Sequence, residues 1–123
     1  MVKHVEKAIQ KEAVLWIEQT YPDVEVYYYK AEGEKNIITA VEDKRMGLKN
    51  GFPDLFLLTD RNDFTYILHL ELKKLKGVLN PNQRVWWAKF KPNYNRKGYV
   101  TYSLSEIKEY VTNWILSLPQ NKI

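Results

Sequence analysis

No cysteine occurs among the 123 residues, which removes disulfide scaffolds, cysteine-ligated zinc sites and thiol nucleophiles together. Any metal must sit on oxygen or imidazole ligands. No apolar run approaches the roughly 20 residues needed to span a bilayer. The opening Met1 to Glu6 turns charged and amphipathic instead of forming a secretory apolar core. The expectation is a soluble, cytoplasmic protein with no membrane partner. Repeats, low-complexity stretches and Pro/Gly/Ser-rich linkers are also missing, so residues 1–123 read as a single domain.

Acidic residues are missing from more than a quarter of the chain in one stretch. Between Lys73 and Ser105 there are eight cations (Lys73, Lys74, Lys76, Arg84, Lys89, Lys91, Arg96 and Lys97) and no Asp or Glu. The whole chain carries +4, so the remainder carries −4. Such a local excess suits a polyanion, although solvated lysines alone also produce it.

What is present is a regular alternation of elements. Val5, Ala8, Ile9, Ala13, Trp16 and Ile17 recur at helical spacing over residues 3–20, and Pro22 stops that helix. Residues 24–29 are rich in β-branched and aromatic side chains and predict a strand. Residues 37–48 fit either a strand or a short helix, before Lys49-Asn50-Gly51 turns the chain. Asp54 to Thr59, the polar turn Asp60 to Asp63, and Phe64 to Lys73 form a hairpin. Asn80-Pro81-Asn82-Gln83 places Asn at an N-cap, Pro at N1 and Gln at N3, and Pro92 closes that helix. A short strand at Gly98 to Tyr102 follows. Ser103 and Glu106 then form a capping box for a last helix, with Leu104, Ile107, Tyr110, Val111, Trp114 and Ile115 inward. This order predicts an α/β fold around a mixed sheet.

The chemistry concentrates in the hairpin. Asp54 follows Pro53 at the start of one strand, and Glu71 and Lys73 share a face of its partner because strand side chains alternate. Two converging carboxylates repel unless a cation lies between them, and oxygen ligands suit Mg²⁺ or Mn²⁺. The Leu72 backbone carbonyl could add a ligand. Lys73 could hold or help deprotonate a water, and balance charge on a phosphate. The bland alternative makes Asp54 a strand start and Glu71 with Lys73 an exposed edge.

Pro53-Asp54 with Glu71-Leu72-Lys73 resembles the PD-(D/E)xK nuclease signature. Gly51 to Leu55, Leu70 to Lys74, Gly77, Leu79, Gln83 and Trp87 resemble its virus-type replication-repair nuclease (VRR-NUC) branch. Glu6-Lys7-Ala8-Ile9-Gln10 and Gly98-Tyr99 match that branch at the two ends. The resemblance implies a restriction-endonuclease-like core with helices flanking a mixed sheet in the order αβββαβα. It also implies Mg²⁺- or Mn²⁺-dependent hydrolysis of DNA phosphodiesters, with Asp54 and Glu71 as metal ligands, Lys73 at the water and Glu6 as the helix acid. Glu12, which falls within the apolar arc of the first helix, is the rival to Glu6. Gln83 fits equally as the branch's site glutamine and as a capping residue.

The resemblance further suggests branched DNA such as a four-way junction or flap, a role in DNA repair, a homodimer that places two sites on two strands, and a phage or mobile-element source. A non-catalytic nucleic-acid-binding module is the alternative. Candidate phosphate contacts are Lys74, Lys76, Arg84, Lys89, Lys91, Arg96 and Lys97, with Lys44, Arg45 and Lys49 beside them. His69 shares the face of Glu71, as a neighbour of the site or as a satisfied strand histidine. His4 is expected at the surface, and Trp86 and Trp87 are expected in the core.

Overall fold

The computed structural model describes residues 2–28, 53–73 and 77–121, with side chains from Glu6 onward. The predictions for residues 37–51, and those for His4, Val5, Lys44, Arg45, Lys49, Lys74 and Lys76, lie outside the described side chains. Among the described residues the elements are, in order, α1 (Val2–Thr20), β1 (Glu25–Tyr28), β2 (Leu55–Arg61), β3 (Phe64–Leu72), α2 (Pro81–Lys89), β4 (Arg96–Thr101) and α3 (Leu104–Ser117). This is the expected αβββαβα order. The strands form one sheet in the order β1-β2-β3-β4. The first two pairings are antiparallel and β3 with β4 is parallel, so the sheet is mixed.

Register follows from the turn between β2 and β3. Asn62 and Asp63 both have positive φ (51° and 72°), the pair of left-handed residues that a two-residue hairpin needs to match strand twist. Asn and Asp tolerate that conformation better than other side chains. The chain's last described residues tie the turn down. Asn62 N–H donates to Asn121 Oδ1 at 3.0 Å, and Arg61 Nη1 donates to the Pro119 carbonyl at 3.2 Å.

With that register, Leu55, Leu57, Tyr66, Leu68, Leu70 and Leu72 point to one face and are buried against Ala13 and Ile17 of α1 and Ile107, Val111 and Trp114 of α3. Each such aliphatic side chain contributes on the order of 1.5–3 kcal/mol on burial. The other face carries Phe56, Ile67, His69 and Glu71, and α2 sits over it through Trp86, Trp87 and Phe90.

Several expectations are corrected. Ala8 is exposed, because the inward stripe of α1 runs through Ile9, Ala13 and Ile17 without it. Neither Trp86 nor Trp87 is fully buried; both are half-buried on a helix with no buried residue at all. β4 begins at Arg96, ahead of the expected start at Gly98, because Arg96 and Lys97 pair with Ile67 and Leu68. Ser103 caps α3 by accepting from Glu106 N–H at 3.1 Å, but Glu106 reaches back to Tyr102 N–H at 2.6 Å in place of the cap residue's own.

Candidate active site

Asp54 directly precedes β2, and Glu71 is the second-last residue of β3. Because Leu55 pairs with Leu70, the hairpin brings the two carboxylates to the same end of the sheet. Asp54 is fixed by its backbone surroundings: its Oδ2 accepts from Leu72 N–H at 2.7 Å. Leu72 therefore takes part through its N–H, a contact additional to the carbonyl role expected of it. Thr101, fully buried on β4, clamps the same end. Its hydroxyl donates to the Glu71 carbonyl at 3.0 Å and its carbonyl accepts from Lys73 N–H at 2.9 Å.

Glu71 is 1% exposed. Its Oε2 accepts from Gln83 Nε2 at 3.1 Å, while its Oε1 is buried and meets no donor. Burial first, then Asp54 within hydrogen-bonding reach, pushes its pKa up to about 10; Lys73 opposes the shift and Glu6 adds to it. Two carboxyls so placed are relieved by a shared proton or by a cation between them. Hard oxygen donors and an orphaned buried oxygen fit a divalent ion of the Mg²⁺ or Mn²⁺ kind. The set is a pair: among the described residues no group of three or more His, Asp or Glu side chains is arranged to hold a metal.

Among the acids of α1, Glu6 is partly buried and its charge acts on Glu71, whereas Glu12 is exposed. Gln83 caps its helix as expected and also touches Glu71. Its backbone N–H and side-chain Oε1 complete a reciprocal capping box with Asn80, and its Nε2 reaches Glu71.

His69, 3% exposed, accepts from Arg96 Nε at 2.9 Å and stands edge-on to Trp86 and Phe90. Burial, then the Arg96 charge, pulls its pKa down to about 4, so it is a neutral strand histidine. The Arg96 guanidinium also lies 4.8 Å from the Phe90 ring centre, which ties this cation to the aromatic cluster. Lys97 pairs with Leu68 and so starts on the opposite face from Glu71. Arg84, Lys89 and Lys91 are exposed. Sequence reasoning did not foresee Thr101 or the Leu72 N–H; neither carries a local signal, since both act through strand pairing.

The VRR-NUC domain family model matches residues 4–103. The chain belongs to the VRR-NUC family. A solved structure described as a VRR_NUC domain protein is similar in fold, with a TM-score of 0.60 at 20% identity, covering 95% of this chain and 92% of that one. No curated protein matches the chain. Family membership makes this a nuclease-like domain, and no helix among its described residues is long and apolar enough to cross a membrane.

Proposed function

We propose that this VRR-NUC chain is a metal-dependent DNA endonuclease that hydrolyses phosphodiester bonds, acting on branched DNA as a homodimer. The observation that carries the reading is the Asp54–Glu71 pair, one oxygen of which is buried without a donor beside the Lys73 charge. Asp54 and Glu71 would hold the cation, with the Leu72 carbonyl and Glu6 as the further oxygen donors that the family resemblance implies. When bound there, Mg²⁺ or Mn²⁺ supplies Lewis-acid polarisation of a phosphoryl oxygen and a more acidic water.

Lys73 orients the attacking water and balances charge as the phosphorus–oxygen ester bond breaks, leaving a hydroxyl on one product and a phosphate on the other. Gln83 holds the Glu71 carboxylate in place. Arg84, Lys89 and Lys91 offer exposed charge to the DNA backbone, which positions a duplex without reading its sequence. Two copies related by a twofold axis present two sites to two strands.

The test is a panel of labelled four-way junctions, flaps and linear duplexes incubated with Mn²⁺, comparing the unmodified protein with Glu71→Ala. Junction or flap cleavage that disappears in the variant is expected. Undiminished cleavage by Glu71→Ala, or full activity in EDTA, removes the proposal. One observation favours a second reading, a non-catalytic nucleic-acid-binding module: Asp54 and Glu71 each already accept a protein hydrogen bond. That reading predicts no Asp54-dependent heat on titration with Mn²⁺.

A further inference from the structure

Asn80 makes two bonds to one residue. Its Oδ1 accepts from Gln83 N–H at 2.9 Å, and its own N–H donates to Gln83 Oε1 at 2.9 Å. The second bond decides which way round the Gln83 amide stands. An amide oxygen occupied by Asn80 leaves only the NH₂ group to face Glu71, and it donates to Oε2 at 3.1 Å. One oxygen of this buried carboxylate is therefore held by a donor, and the other, Oε1, has none. A buried acceptor left unpaired is costly until something positive fills it. Packing alone would not fix this arrangement, because Gln83 is only partly buried and α2 contains no buried residue.

We propose that Asn80 is a positioning residue for the divalent cation: by locking the Gln83 amide onto Glu71 Oε2, it keeps Oε1 as the oxygen offered to the ion. Asn80 touches neither the ion nor Glu71 and acts only through Gln83. The inference rests on the reading of Asp54 and Glu71 as a cation pair.

The backbone of Asn80 allows a clean test. Its φ of −73° and ψ of 169° are values proline adopts without strain. Asn80→Pro thus deletes the N–H that orients Gln83, along with the cap acceptor, and keeps the extended entry into the helix. Asn80→Ala deletes the cap acceptor alone and leaves the orienting N–H. Asn80→Asp keeps both.

Mn²⁺ is titrated by calorimetry into the full chain and into each variant, with circular dichroism as a check on folding. Asn80→Pro is expected to bind Mn²⁺ roughly ten- to a hundredfold more weakly, the scale for partners that support a metal ligand. Asn80→Asp and Asn80→Ala are expected to stay within about threefold of the unmodified chain. Gln83→Leu, which removes the donor to Oε2 and leaves Asn80 intact, should match Asn80→Pro and stands in for it should that variant fold poorly.

Full Mn²⁺ affinity in Asn80→Pro or Gln83→Leu overturns the inference. An equal loss in Asn80→Ala and Asn80→Pro also overturns it, since capping alone would then explain the effect. If the unmodified chain gives no heat, or heat that survives Asp54→Ala, the cation-pair reading itself fails and takes this inference with it.

Discussion

Gly98 lies directly against Trp87: a β carbon at position 98 would stand 2.9 Å from Trp87 Cζ3 and 3.0 Å from Phe90 Cε2. The missing side chain lets α2 sit down on the sheet, and α2 carries Gln83 to Glu71. Gly98→Ala must push rings or helix outward, at a cost of about 1–3 kcal/mol for overpacking. Urea unfolding should show a lower midpoint at unchanged slope. An unchanged midpoint would mean that the rings yield freely.

Glu71 titrates near 10 in place of the ordinary 4.5, chiefly through burial and then Asp54. Between those values the folded chain holds a proton that the unfolded chain has lost, so stability falls as pH rises across that window. Glu71→Gln, neutral throughout, should flatten the decline in a series of unfolding curves. Mn²⁺ binding should also release protons and tighten with pH, which calorimetry in buffers of different ionisation enthalpy would register.

His69 acts at the other end of the scale. Burial and then Arg96 hold its pKa near 4 against an ordinary 6.5. The unfolded chain therefore gains a proton first on acidification, and the stability present above 6.5 is lost as pH drops toward 4. His69→Asn should remove this part of the acid sensitivity. A slope identical to that of the unmodified chain would show that other groups govern acid unfolding.

Lys73→Ala should lower cleavage by about 10²- to 10⁴-fold, the usual range for losing a proton-transfer or water-orienting group. DNA affinity, measured by anisotropy at fixed salt, should change little. Loss of binding in parallel with cleavage would make Lys73 a phosphate contact only.

The parts of this molecule that could be read in advance are those with local signals. Asn80 and Ser103 cap the helices they were expected to cap, and the Asn62-Asp63 turn pairs the two Leu-rich strands as their alternation requires. The meeting of Asp54 and Glu71 followed from that hairpin. Tertiary contacts were not legible. Periodicity counted Ala8 as inward and could not separate Glu6 from Glu12, because the direction of the helix's inward stripe is set by what packs against it. Trp86 and Trp87 suggest a core by size alone, yet they lie half-exposed over Gly98 and His69. Arg96 enters β4 despite its charge, because His69 and the rings of Trp86 and Phe90 give the guanidinium a seat.

The two left-handed residues at 62 and 63 act on the acids at the far end of the hairpin, about seven residue pairs and roughly 20 Å away at strand spacing. Inserting a single residue into that turn would leave every amino acid of both strands in place and still exchange inside for outside along the slipped strand. Lengthening the bend by one would uncouple Asp54 from Glu71 without altering either, so the chemistry of this chain is protected by the geometry of its most distant corner.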